Sequence, residues 1–151
     1  MKITDLINEN TIILNLNATN REEIIDELSQ ALYDDGKVSD LGLFREDIWN
    51  RENQVSTEVG LEIAMPHAKS AAVETPSVAI GRNSDGIVYD QESCKLFVMI
   101  AAKKDGTDDH LNTIAKLSRM LISADFREDL LQSADEKELI SLISEKEAGM
   151  N

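Results

Sequence analysis

Leu96-Phe97-Val98-Met99-Ile100-Ala101-Ala102 is a strand-length run without one polar side chain. A strand with a wet face alternates apolar and polar residues, whereas an unbroken apolar run belongs to a strand covered on both sides. The rest of the chain must therefore supply two covering layers. Downstream, a turn at residues 103–107 carrying Gly106 leads into the helical period Leu111, Ile114, Ala115, Leu117, Ser118, Leu121 and Ile122, with Asp108 or Asp109 as cap. A short helix at 126–131 and a last one at 136–146, apolar at Leu139, Ile140, Leu142 and Ile143, complete the chain.

Upstream, residues 61–65 and 77–81 are short apolar runs bounded by turn formers and read as further strands. Residues 11–16 form a β-branched first strand. Thr19 with Glu22 makes a capping box that opens a helix carrying Ile24, Ile25, Leu28, Ala31 and Leu32 and ending at Gly36. A second helix, residues 41–52, has Asp40 as its cap and Leu41, Phe44 and Ile48 on one face. The order β-α-α-β-β-β-α-α-α places helices before and after a block of strands. It predicts a three-layer α/β/α sandwich with a mixed sheet. The longest irregular stretch, about residues 53–61, lies between a helix and a strand, where binding residues commonly sit.

The chain has 151 residues, with 15 Lys+Arg against 29 Asp+Glu, so its formal charge is −14. That length suits one domain with one core, and residues 1–151 are read as a single domain. With 42% hydrophobic and 29% charged residues the composition is that of a globular protein. The acidic balance argues against nucleic acid and anionic membrane as partners, since both are bound by Lys and Arg neutralising phosphates. Nothing approaches the ~18 apolar residues of a membrane span, and Met1 to Asn8 lacks a signal-type apolar stretch. The expectation is a soluble, cytoplasmic protein without direct membrane insertion. The single cysteine, Cys94, has no disulfide partner and precedes the apolar run, which makes it a core filler.

Two histidines are available for chemistry. His67 follows Pro66 at the end of an apolar run, where the proline fixes φ and supplies no donor. Lys69 lies two residues on, and Arg51 and Glu52 lie across the preceding loop. A pair of cations near an imidazole suits a dianionic phosphoryl group better than a metal. His110 starts the helix after the central strand, and ligands gather at the carboxyl ends of strands. If the two preceding strands are parallel neighbours, both imidazoles reach the same rim of the sheet. The competing reading is that His67 is a structural histidine and His110 a helix cap or a solvated side chain. Two histidines 43 positions apart do not form a zincin pair, and no thiolate or third nitrogen completes a zinc site. No G-x-S-x-G, G-x-x-x-x-G-K-[ST] or G-x-G-x-x-G motif is present, and Asp105, Asp108 and Asp109 lack the terminal Glu of a calcium loop.

Arg51-Glu52, Thr57, Gly60 and Ile63-Ala64-Met65-Pro66-His67-Ala68, followed by His110-Leu111 after the long strand, together resemble a known pattern. It is that of the type-2 enzyme IIA components of the bacterial phosphoenolpyruvate-dependent sugar phosphotransferase system, the fructose/mannitol/nitrogen-regulatory family, and the resemblance covers nearly the whole chain. It implies a phosphotransferase in which His67 accepts a phosphoryl group from the phosphocarrier HPr and passes it to a cysteine of a IIB component. The group would sit on Nε2 while a backbone carbonyl holds Nδ1, with His110 as companion imidazole and Arg51 as the cation approaching the phosphoryl group. No cofactor and no metal are implied. A fructose-type transporter is the first reading, and a regulatory protein of the nitrogen-regulatory branch is the alternative. The chain departs from the pattern at Leu61-Glu62 and Ala68, where many members have glycines, and at Met65, where they have Ile or Val. Glu62 is expected to face solvent, and Lys69 has no counterpart.

Overall fold

A computed structural model describes residues 2–106 and 109–150. The central run lies within the strand β6 (Ser93–Lys103), where every residue from Leu96 to Ala102 is buried. Among the described residues five α-helices, α1 (Arg21–Asp34), α2 (Leu41–Glu52), α3 (Asp109–Leu121), α4 (Ala124–Gln132) and α5 (Glu136–Ala148), surround one sheet. Its other strands are β1 (Ile12–Ile13), β2 (Glu58–Gly60), β3 (Ile63–Ala64), β4 (His67–Ser70) and β5 (Ser77–Val88). The spatial order is β1-β5-β6-β3-β2, with β4 also pairing with β6. β6 is antiparallel to β5 and parallel to β3 and β4, so the sheet is mixed.

The period of two along β6 divides the core. Phe97, Met99 and Ala101 enter a cluster with Ile24, Ile25 and Leu28 of α1 and Phe44 and Ile48 of α2. Leu96, Val98 and Ile100 enter the opposite cluster with Leu117 of α3, Leu130 of α4, and Leu139 and Ile143 of α5. This is the expected three-layer sandwich. No helix among the described residues is long and apolar enough to cross a membrane. Cys94 is fully buried in the first cluster, and its thiol is pushed up to about 12, chiefly by burial and then by Glu58, Glu92 and Glu62.

The order of element types holds, with the strand block divided into five. Helix α2 has its expected cap: the Asp40 side chain accepts from the Leu43 N–H at 3.0 Å. The cap of α1 differs. Asn20 accepts the Glu23 N–H at 2.9 Å, while the Thr19 hydroxyl donates to the Glu23 carboxylate at 2.7 Å. The first strand ends at Ile13, and the Leu14 carbonyl takes Nε–H of Arg82 at 3.0 Å.

The expected strand 61–65 pairs only at Ile63 and Ala64, because Leu61 and Glu62 have φ of 59° and 61°. With Gly60 at 81° they form a tight left-handed turn that joins β2 to β3 as a hairpin. β5 runs on past Gly81 to Val88, and Tyr89–Glu92 connects it to β6. The Glu58 carboxylate holds that connection, accepting the backbone N–H groups of Asp90 at 2.9 Å, Gln91 at 3.1 Å and Glu92 at 2.9 Å. Asp109 is the first residue of α3, and the alternative cap Asp108 lies outside the described residues.

Candidate functional site

β3 and β6 are parallel neighbours, so the segments that follow them leave the sheet at one rim. After β3 the chain passes through Met65 and Pro66, and His67 opens β4 opposite Ile100 of β6. After β6 comes α3, whose second residue is His110. The two imidazole rings are 5.4 Å apart between centroids and tilted by 51°. The arrangement that depended on parallel strands is therefore present.

Nδ1 of His67 lies 2.7 Å from the Met65 carbonyl oxygen. A carbonyl only accepts, so Nδ1 carries the hydrogen in the neutral ring and Nε2 keeps a free lone pair. Burial lowers the pKa of His67 below the ordinary imidazole range and outweighs the stabilising Met65 carbonyl. The charge of Arg51 pushes it further down and that of Glu52 pushes it up. His110 is lowered to about 4, first by burial and then by His67 and Lys69. Its buried Nδ1 has no hydrogen-bond partner among the described residues. At neutral pH both rings are uncharged.

Arg51 reaches the same place from the last turn of α2. Its Nη1 donates to the Val55 carbonyl at 2.7 Å, and no carboxylate among the described residues lies within ion-pair distance of it. His67, His110, Arg51 and Lys69 line one open cleft of about 330 Å³ together with Asp47, Asn50 and Gln54. Lys69 shares a face of β4 with His67 by the period of two, while Ala68 points into the α1–α2 core. Glu62 is outside the cleft, exposed and 3.7 Å from Lys95, in keeping with the expected solvent orientation.

Sequence reasoning singled out His67, His110, Arg51 and Lys69, and the fold brings all four together. It missed Asp47, Asn50 and Gln54. Their spacing with Arg51 was a usable signal, because positions i, i+3, i+4 and i+7 place four polar side chains on one face of a helix and its end. The ordinary surface character of such residues hid it.

A model of the family described as phosphoenolpyruvate-dependent sugar phosphotransferase system, EIIA 2, matches residues 5–146. The fructose-specific EIIABC component of Bacillus subtilis is 39% identical over 148 residues, 96% of this chain and 23% of that protein. The chain thus spans about a quarter of that relative's length. The fructose-specific EIIA component of Haloferax volcanii is 34% identical over 128 residues, 83% of each protein. Among solved structures, nitrogen regulatory protein IIA-Ntr of Neisseria meningitidis superposes with a TM-score of 0.85 at 20% identity, covering 93% of this chain and 98% of that one. Enzyme IIAMtl of Escherichia coli, solved in complex with phosphorylated enzyme IIBMtl, has a TM-score of 0.80 at 22% identity, covering 92% and 97%. These two likenesses speak for the fold. With a family match across nearly every described residue, and with Arg51, His67 and His110 of the signature lining one cleft, the chain belongs to the EIIA type-2 family of the phosphoenolpyruvate-dependent sugar phosphotransferase system.

Proposed function

We propose that this chain works as one cytoplasmic EIIA domain that carries a phosphoryl group from phospho-HPr to the IIB component of a fructose-type sugar transporter. The observation that carries the reading is the bond from His67 Nδ1 to the Met65 carbonyl, which leaves Nε2 free in the cleft. In the first transfer Nε2 attacks phosphorus in line with the donor's P–N bond. A new P–N bond forms at Nε2 as the old one breaks, and its electron pair returns to the donor imidazole. The positive charge that develops on the His67 ring is shared with Nδ1–H and steadied by the Met65 carbonyl. In the second transfer a IIB thiolate attacks phosphorus, an S–P bond forms, and the Nε2 lone pair is restored.

Phosphoryl transfer asks mainly for position and for charge on the equatorial oxygens. Arg51, whose guanidinium has no carboxylate partner among the described residues, supplies the cation. His110, uncharged at neutral pH, supplies a ring nitrogen beside the acceptor. The two sequence relatives described above carry fructose in their names, which supports transport over the nitrogen-regulatory alternative. The test is incubation with phosphoenolpyruvate, enzyme I and HPr followed by peptide mapping. One acid-labile phosphoryl group on the peptide containing His67 is expected, and a group mapped elsewhere overturns the assignment.

A further inference from the structure

Glu52 stands next to Arg51 in the chain yet faces the other way and is only 3% exposed. A carboxylate at that depth is held by its partners or not at all. The Thr57 hydroxyl makes a very short bond to Oε2, and the Tyr89 hydroxyl donates to the same oxygen at 2.9 Å. The Thr57 N–H reaches Oε1 at 3.4 Å, and Nη1 of Arg21 lies 3.6 Å from it. Arg21 in turn lies over the rings of Trp49, at 5.1 Å, and Tyr89, at 5.7 Å. None of Glu52, Thr57, Tyr89 and Arg21 lines the cleft, and the transfer steps above do not use them.

The network nevertheless leads to the acceptor. Glu52 grips Thr57 by both its hydroxyl and its N–H, which fixes the direction of the Thr57 carbonyl. That carbonyl accepts the Met65 N–H at 3.0 Å, one step beyond the Glu58–Ala64 pair of the β2–β3 hairpin. The Met65 carbonyl then accepts Nδ1–H of His67 at 2.7 Å, and Pro66 restricts the backbone of Met65 in between. The β2–β3 ladder is only two residue pairs long, so the Thr57–Met65 bond is a large part of what steadies Met65.

We infer that Glu52 is a positioning residue for the phosphoryl acceptor: through Thr57 and Met65 it holds the carbonyl that fixes the ring orientation and tautomer of His67. The inference rests on His67 being the acceptor. Tyr89 supplies the internal control, because its hydroxyl bonds the same carboxylate oxygen and lies 3.4 Å from the Thr57 hydroxyl, yet bonds neither the backbone of Thr57 nor that of Met65 among the described residues. Burial and the adjacent carboxylate keep that hydroxyl protonated far above its ordinary range, so it remains a donor throughout.

The experiment compares Glu52→Ala, Glu52→Gln, Thr57→Val and Tyr89→Phe by ring-nitrogen NMR of His67 and by the kinetics of phosphorylation from phospho-HPr. Glu52→Ala and Thr57→Val are expected to populate the second neutral tautomer and to lower kcat about tenfold or more, with KM for phospho-HPr changing less than about twofold. Glu52→Gln, which keeps an acceptor oxygen, should recover part of both. Tyr89→Phe should lose stability in urea and keep the His67 signature. The inference falls if Glu52→Ala and Thr57→Val leave tautomer and kcat unchanged, or if Tyr89→Phe moves them as far as Thr57→Val does. If Glu52→Ala does not fold, Thr57→Val still decides. The NMR arm reads the tautomer whether or not the ring becomes phosphorylated. A failed phosphorylation of His67 in the parent protein therefore defeats the proposed function separately.

Discussion

The side chain of His67 and the backbone carbonyl of Met65 are joined at 2.7 Å across Pro66, so the ring proposed as acceptor is held by the segment that delivers it. The proline keeps that segment extended, and Met65 itself is 2% exposed, packed beneath α3 among Leu117 and Met120. An imidazole fixed in this way presents one nitrogen to the cleft in one orientation. Several consequences can be measured.

The acceptor should stay active at pH values where a free imidazole is already half protonated. Burial depresses the pKa of His67, and only the neutral ring has a lone pair on Nε2. The pH at which the single-turnover rate with phospho-HPr falls to half its plateau should lie below about 6.5, the ordinary imidazole value. A half-point above about pH 6.5 contradicts the assignment.

His110 should leave a mark on stability. Its native pKa of about 4 lies below the unfolded value of about 6.5, so the unfolded chain binds the proton more readily between those limits. The contribution of the neutral ring is fully present above about pH 7, is lost as pH falls toward 4, and levels off below that. The urea midpoint of the parent protein should drop relative to that of His110→Gln across this window. The carboxylates Glu58 and Glu147, also depressed, act below their own range in both proteins and cancel in the difference. Parallel midpoint curves for the two proteins would count against a neutral, desolvated His110.

Arg51 should matter for transfer and little for folding. Its guanidinium bonds a loop carbonyl and no carboxylate among the described residues, so truncation leaves no charge unpaired. Arg51→Ala should slow phosphorylation about 10²-fold or more, as removal of one preorganised charge at a transition state does. Its urea midpoint should stay near that of the parent, and Arg51→Lys should recover part of the rate. Full activity in Arg51→Ala removes the cation from the account.

Cys94 should be inert in the native protein. It is completely buried and its thiol is held at about 12, so thiolate is scarce at neutral pH. A thiol reagent should label it at the rate of unfolding, increasing with urea, and rapid labelling without denaturant would show that this part of the core opens.

How far the sequence reveals this site varies by element. The central strand was readable from its seven consecutive apolar residues, and α2 from Asp40 as its cap with Phe44 and Ile48 one turn apart. The turn at Leu61 and Glu62 was not, since neither residue is one that favours positive φ, and the pairing of the β2–β3 hairpin imposes it. The first strand looked longer than it is because β propensity cannot register that Arg82 claims a carbonyl from a distant strand. The cleft was legible in its histidines and cations, which are scarce in a chain of charge −14. Glu52 was visible only as a neighbour of Arg51. That it is buried and bonded to Thr57 and Tyr89, which stand 5 and 37 positions away, is a property of the fold.

The most direct test takes the protein with ring nitrogens labelled by ¹⁵N, phosphorylates it with phosphoenolpyruvate, enzyme I and HPr, and records the ¹⁵N–³¹P coupling. One coupling is expected, at Nε2 of His67, with Nδ1 still protonated against Met65, and no phosphorylation of His67→Gln. A coupling at Nδ1, or label retained by His67→Gln, would contradict it.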